Sequence, residues 1–464
     1  MTDPAADFTT RPADETSVAN LAAAGLRYTL VDTADQDAFG AWQHADDRGF
    51  LGATRTAEQI ASGLAGLAYR RTTGVYDDTQ AAGAQPDGTP WPIATVNSWP
   101  AELTLPGSTV EHPRTLRSWA ISSVTVAPTH RRRGIARNLL EGELRTAAAL
   151  GIPMAMLTVS ESTIYGRFGF APAAFVADWT IDTRRSRWIA PAASGRVEFV
   201  SVGQYRDELP QLHERVRLTS PGEIDIWPLR WDQLTGVTEP DSERTRSLRA
   251  LRVTDESGRT RGLALYRWSG GVPDFTQHTA TVERLDAETP DAEAALWRFL
   301  LELDLTTTLK AGLRRMDEPV RWQIADFRAA TVETREHQYL RLLDVAAVFE
   351  ARGYLGSGEL VFSVSDPLGF AAGVWRLAVA EPPAAAAESP ASTARATVTR
   401  LDSVPIGTPA VALTAAELAA ISLGGVSVAT LVAAGRITEL SPGAAVAADG
   451  MLRTARAPWL SVWY

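Results

Sequence analysis

The sequence predicts a mixed α/β protein (α+β in its last part) of three domains. Three observations carry that reading. The chain has 464 residues, too many for one ordinary hydrophobic core. Runs rich in β-branched residues alternate with stretches of helical period through the first two thirds. The last third changes character around the linker-like "EPPAAAAESPASTA" at 381–394.

Taken in order, residues 1 to about 20 read as a disordered leader, rich in acids and proline. "LRYTLVD" is a first strand, and "DQDAFGAWQHADDRGF" and "RTAEQIASGLAGL" are helices. "DDTQAAGAQPDGTP", 77–90, is a turn-rich hairpin loop. "WPIATVNSWPAELTL" and "RSWAISSVTV" are extended, a helix runs from about Pro128 or Arg133 to Leu150, and "PMAMLTVS" is a strand. A short helix forms around Tyr165. This first domain spans 21–183. A second, 184–336, repeats the style, with a hairpin about Ser257-Gly258 and a helix whose apolar stripe is Ala294, Leu296, Leu300, Leu301 and Leu303. The third, 337–464, carries two short helices in "TAAELAAISLGGVSVATLVAAGRI".

Composition narrows the chemistry. Hydrophobic content of 45% and charged content of 22% are globular averages. The absence of cysteine removes disulfides, thiolate metal sites and thiol nucleophiles. A net charge of −10 disfavours nucleic-acid binding and suits cationic substrates. Lys310 is the single lysine and no Walker A loop exists. The six histidines (44, 112, 130, 213, 278, 337) show no metal-ligand spacing, so no metal is expected. No signal peptide or membrane-length apolar run is seen, so a cytoplasmic protein with no membrane partner is expected.

The most informative stretch is "SSVTVAPTHRRRGIARNLLEGELRTAAALG", 122–151. A strand, a proline break and a helix opening at Arg133, Gly134 and Ile135 put unpaired amides and a positive dipole end at one point, which binds phosphate. Gly134 allows close backbone approach and the arginines add bidentate contacts. Read plainly, the same run is a solvated arginine cap. The other odd feature is the end, "APWLSVWY": eight residues without a charged side chain, three of them large aromatics. It is either a last β-strand that closes a sheet, or a segment that carries a buried terminal carboxylate to a site of use.

Arg131-x-x-Gly134-x-Ala136 resembles the acetyl-CoA pyrophosphate loop of the GNAT acetyltransferase superfamily. The resemblance implies that the backbone of Val124, Thr125 and Val126 runs along pantetheine, as strand addition to a cofactor. It implies that the amides of Arg132, Arg133, Gly134, Ile135, Ala136 and Arg137, with Arg131 before them, surround the pyrophosphate. It also implies that Ser160 and Glu161 lie near the cofactor and that Tyr165 reaches the CoA sulfur. A phenol of pKa ~10 is a suitable proton donor for a departing thiolate of pKa ~8.5. "VAPTHRRRG" with "YGRFGF", and later "LALYR", "AALWRFLLELDL" and "LRLLDVAAVFEARGY", are similar to the enhanced intracellular survival (Eis) family. That likeness implies tandem GNAT domains, the second without a cofactor site, then a sterol-carrier-protein-like domain. It implies a homohexamer and amine substrates such as aminoglycosides and other polyamines.

The same likeness implies that the terminal carboxylate of Tyr464 is the general base. A solvated α-carboxylate (pKa ~3.5) is a poor base, and burial among Trp459, Trp463 and Tyr464 would raise its pKa. The expected reaction is direct attack of a small-molecule amine on acetyl-CoA in a ternary complex. Asp46, Asp47, Asp77 and Asp78 could line an acidic pocket, though each reads more naturally as surface. The alternatives are a protein lysine or N-terminus acetyltransferase, and a non-catalytic acetyl-CoA- or lipid-binding protein.

Overall fold

The computed structural model describes residues 8–79, 90–381 and 396–464. Most of the hairpin loop expected at 77–90, nearly all of the linker at 381–394 and the first seven residues lie outside the described residues.

The first unit holds α1 (Glu15–Ala23), β1 (Arg27–Leu30), α2 (Gln36–Gly49), α3 (Ala57–Leu67), β2 (Arg71–Tyr76), β3 (Ala94–Thr104), β4 (Thr115–Val126), α4 (Ile135–Ala149), β5 (Met154–Thr158) and β6 (Ala171–Asp182). The second holds β7 (Arg196–Val200), α5 (Val202–Arg217), α6 (Pro228–Thr235), α7 (Glu243–Ser247), β8 (Leu248–Thr254), β9 (Thr260–Gly270), β10 (His278–Ala287), α8 (Pro290–Leu301), β11 (Thr306–Arg314), α9 (Val320–Gln323) and β12 (Ala330–Leu342). The last holds α10 (Val345–Ala351), β13 (Gly358–Ser365), β14 (Gly373–Val379), β15 (Ala396–Leu401), β16 (Ala410–Thr414), α11 (Ala415–Ile421), α12 (Val428–Ala433), β17 (Thr438–Glu439) and α13 (Ala444–Leu452).

The two α/β units share one 12-stranded sheet, ordered β1-β2-β3-β4-β5-β12-β6-β11-β10-β9-β8-β7. β12 inserts between β5 and β6, antiparallel to both. Position 337 falls inside β12, so the third domain begins after Leu342 instead; position 183 lies just past β6, between two units whose strands share one sheet because β6 pairs with β11 and β12. The last domain is a five-stranded sheet, β15-β14-β13-β16-β17, with its helices.

The disordered leader is a second correction. Asp14 caps α1 through its carboxylate to the Ser17 amide (2.9 Å) and pairs with Arg145 of α4 (2.8 Å). Asp14 therefore docks a helix instead of solvating a free end, within the described part of the leader. One face of the first unit's sheet packs α4 through Leu139, Leu140 and Leu144; Tyr165 and Tyr339 lie in that core. The opposite face shares a core with the last domain, including Met156, Phe349, Phe362, Leu418, Leu460 and Val462.

Candidate active site

β4 and β5 run parallel and pair only at Ser118–Ala120 with Met154–Met156. Beyond that, β4 pairs with β3 alone, and Leu157 and Thr158 pair with β12 alone. A register shift opposite Thr95–Asn97, with Ser123 at φ 56°, turns β4 away. The result is a V-shaped slot whose β4 side is Val124, Thr125 and Val126. The Thr125 hydroxyl is tied to that of Thr95 (2.6 Å), and Asn97 Nδ2 donates to Ser123 Oγ (3.2 Å). Facing strand edges unpaired with each other leave backbone donors and acceptors for an extended, amide-bearing ligand.

At the slot's end, Pro128–His130 form one 3-10 turn, and Arg132 (φ 63°) and Gly134 (φ 74°) adopt left-handed conformations. Gly134 is the N-cap of α4 and offers no side-chain acceptor, so the first-turn amides of Ile135 and Ala136 are left for a ligand. A Cβ on Gly134 would meet only Asn138 Nδ2, at 3.8 Å, so the space outside this turn is open. The arginines divide their work. Arg133 donates to Ala24 O (3.0 Å) and faces Asp77 (3.6 Å), Arg137 lies 3.9 Å from Glu141, and Arg131 and Arg132 are exposed. Amides at a helix start with exposed arginines form a donor set that fits a pyrophosphate.

After β5, Ser160 and Glu161 are exposed and Tyr165 opens a 3-10 turn. Its ring is buried beside Phe170 and Tyr339, with centroids at 6.2 and 6.5 Å. Burial, and then the Glu161 carboxylate, raise the phenol above its ordinary pKa, which keeps the proton on it. The turn is gripped from β12: buried Arg341 donates Nε to Phe168 O (2.8 Å) and a forked pair to Asp366 (2.7 and 2.8 Å). A Cβ on Gly169, at φ +82°, would stand 2.6 Å from Arg341 Nε.

The aromatic tail is in none of the sheet strands. It is an extended segment pinned by single bonds. Ala457 N donates to Asp317 (3.0 Å), Trp459 N to Pro221 O (2.8 Å), Trp459 Nε1 to Leu313 O (2.7 Å) and Ser461 N to Glu223 (2.9 Å). His337 Nε2 donates to Val462 O (2.8 Å), and the same imidazole meets the Trp463 ring at 4.5 Å. Burial, the largest cause, pulls His337 down to about 4 and so keeps the ring neutral. Finally, Thr158 Oγ1 donates to the Tyr464 backbone oxygen (2.8 Å), and the Tyr464 ring meets Trp99 at 5.4 Å. Burial raises the Tyr464 phenol far above its ordinary pKa, so its side chain is a packing group. Tyr165 and Tyr464 thus lie on opposite faces of the sheet, Tyr464 at the end of β5 and Tyr165 in the turn that follows it.

The four acids expected at the surface separate. Asp78 is exposed and paired with Arg27 (2.8 Å). Asp77 holds His130 (3.1 Å) and Arg133 beside the turn that leads into α4. Asp47 is forked onto Arg55 (2.6 and 2.9 Å). Asp46 is half-buried beside the Ser123 hydroxyl, and burial, then Asp47, push it up to about 7. Sequence reading missed Thr158, Asn97, Arg70 and Arg341. Their only signal is tertiary: none belongs to a motif, and each acts across long sequence separations.

In the second unit the equivalent slot is closed. β10 and β11 pair from His278 to Val282, and beyond them Arg314 Nη1 donates to Leu285 O (2.7 Å) across the gap. Arg314 also pairs with Glu318 (3.0 Å), which accepts from Trp297 Nε1 (2.7 Å). α8 begins with Thr289 capping the Ala292 amide and carries Asp291 and Glu293 in its first turn, which repels an anion. Among the described residues, no group of three or more metal-ligating side chains is assembled, and no helix is long and apolar enough to cross a membrane.

Comparison with known proteins agrees with this architecture. Acetyltransferase (GNAT) domain families match residues 31–173 and 222–342, and the sterol carrier protein domain matches 345–461. An uncharacterized N-acetyltransferase of Streptomyces avermitilis is 36% identical over 427 residues, covering 90% of this chain and 94% of that protein. N-acetyltransferase Eis of Mycobacterium tuberculosis is 35% identical over 273 residues, 57% of this chain and 64% of that protein. The crystal structure of Eis1 from Mycobacterium abscessus superposes with a TM-score of 0.76 at 24% identity, covering 95% of this chain and 100% of that one, a likeness of fold.

Proposed function

Because the chain belongs to the Eis-type N-acetyltransferases of the GNAT superfamily, we propose that it moves an acetyl group from acetyl-CoA directly to a primary amine of a small molecule. The observation that carries this reading is the splay of β4 from β5, with Thr158 at the end of β5 bonded to the Tyr464 backbone oxygen. The slot and the α4 amides would hold the pantetheine and pyrophosphate of acetyl-CoA, which supplies the activated acyl group. The second unit, its slot closed by Arg314 and Glu318, acts as scaffold.

The chain's own residues divide the proton work. An alkyl ammonium, pKa near ~10, must lose a proton before it can attack. A carboxylate on Tyr464, steadied by Thr158 Oγ1 and half-buried against Trp99, accepts that proton directly or through a water. Backbone N–H groups along Val124–Val126 polarise the acyl carbonyl. Tyr165, kept protonated by burial, gives its proton to the sulfur. With no cysteine in the chain, a thioester-enzyme intermediate is not used. Aminoglycoside-type polyamines are the acceptors that the family likeness suggests, with Asp46, beside the Ser123 hydroxyl, as an acid at the slot.

The test is a CoA-release assay over simple amines, aminoglycosides and lysine peptides. Appending one glycine after Tyr464 moves any carboxylate while keeping every side chain. A loss of kcat of about a hundredfold or more fits one general base; unchanged turnover removes the base. Release of CoA with lysine peptides alone would favour a protein substrate. A lipid-carrier reading has less support, since Leu460 and Val462 of the tail pack into the last domain's core with Phe349 and Phe362.

A further inference from the structure

Arg70 stands out among the buried arginines. Arg71, Arg217, Arg284, Arg314 and Arg341 are each paired with a carboxylate. Arg352 donates to Ser422 O and Leu452 O (2.6 Å each), at the carboxyl ends of α11 and α13, where helix dipoles favour a cation. Arg70, 5% exposed, has no carboxylate within ion-pair distance among the described residues. Its hydrogen bonds go to Tyr69 Oη (3.1 Å) and, weakly, Asn97 Oδ1 (3.4 Å). The guanidinium otherwise lies over aromatic rings, 3.6 Å from the Trp99 centroid, 4.7 Å from Trp227 and 5.5 Å from Tyr69.

Its position ties it to the acceptor side of the slot. Asn97, which accepts from Arg70, donates to Ser123, the residue at which β4 leaves β5. Trp99, under the guanidinium, also carries the Tyr464 ring at 5.4 Å. The cation is therefore one amide from the strand bulge and one indole from the proposed base. Burying a cation without a counter-charge costs several kcal/mol, and π-faces return only part of that. Four of the five guanidinium N–H groups, by the bonds above, remain without a strong acceptor, in the fork geometry that suits a planar or phosphoryl anion. A polyamine bound here would meet this cation: Asp46 acts on Arg70 only from beyond ion-pair distance, and Asp47 is forked onto Arg55.

We infer that Arg70 is the anion-recognising residue of the acceptor site, and that the preferred acceptor is an amine that also carries a carboxylate or phosphate group. This inference rests on the transferase reading for its chemistry and departs from the polyamine class in its substrate.

The experiment compares kcat/KM for acceptors matched except in charge: phenylalanine against phenylalaninamide, phosphoethanolamine against ethanolamine, with kanamycin as polycation. The expected result is a preference of tenfold or more for the anionic member of at least one pair, and the pair that shows it tells carboxylate from phosphate. Arg70→Met, which keeps the aliphatic stem on Trp99, collapses the preference towards one, and Arg70→Lys restores part of it. Equal rates within both pairs, or a preference that survives Arg70→Met, overturns the inference and leaves Arg70 as packing between Trp99 and Trp227. If no acceptor of either kind releases CoA, the transferase reading fails by itself. Calorimetry with N-acetylphenylalanine, its amide and N-acetylphosphoethanolamine then decides Arg70: an acid bound by wild type and lost in Arg70→Met upholds it, and equal binding of acid and amide, or none, overturns it.

Discussion

The hydroxyl of Thr158 donates a 2.8 Å hydrogen bond to the backbone oxygen of Tyr464, joining residues 306 positions apart. Thr158 ends β5, the strand that splays from β4, so this one bond sets where the last residue sits relative to the acyl-donor slot. Replacing Thr158 with Val keeps shape and removes the donor. A neutral hydrogen bond contributes about 1 kcal/mol and one to a charged group up to about 3. We expect kcat to fall about tenfold or more, KM for acetyl-CoA to stay within about twofold, and the melting temperature to move little. Steady-state kinetics check the split.

Tyr165→Phe removes a proton donor and leaves the ring on Phe170 and Tyr339. A positioned general acid is worth about 10²–10⁴ in rate. The expected outcome is a kcat loss in that range with acetyl-CoA binding retained by calorimetry. A loss of binding instead would make Tyr165 a packing residue.

Gly134→Ala tests the phosphate turn. Space is open there, with Asn138 Nδ2 at 3.8 Å as the nearest contact, so the cost comes from φ 74°, about 1–2 kcal/mol for an L residue. The added methyl also stands beside the first-turn amides. KM for acetyl-CoA should rise about tenfold, by more than kcat falls.

His337 makes the tail's seating sensitive to acid. Its folded-state pKa lies below its ordinary 6.5, at about 4, because burial disfavours the imidazolium. Below pH 6.5 the unfolded chain binds a proton that the folded one refuses, so stability falls as pH drops through the 6.5–4 window. At 1.36 kcal/mol per unit the full effect is about 3 kcal/mol. Denaturant melts at pH 7 and pH 4.5 should show most of that difference in wild type and much less in His337→Asn. An identical pH dependence in both would show that other groups set it.

The slot illustrates what was legible beforehand. The run from Ser122 to Leu150 encodes strand, break and helix through neighbours in sequence, but the structure starts the helix at Ile135, with Gly134 as a left-handed N-cap where a first helical turn was expected. The apolar tail was legible as buried for Trp459 and Val462, because large apolar side chains leave water, whereas Trp463, expected inside, is 40% exposed. Domain edges were less so. β12 pairs with β5, closed earlier in the chain, and only strand pairing across about 180 residues shows that position 337 lies mid-strand. The leader was misread because Asp14 is polar in isolation and a helix cap once Arg145 faces it.

By itself, then, the sequence determined the strand, break and helix around Gly134, the burial of Trp459 and Val462 and the family to which the chain belongs, since propensity, glycine conformation and hydropathy act over a few residues. Only the tertiary structure decided which side chains meet at the slot. Thr158 with Tyr464, Arg70 with Trp99 and Arg341 with Phe168 are contacts made by chain closure. Their energies depend on burial and on the absence or presence of a counter-charge, and no short stretch of residues carries that information.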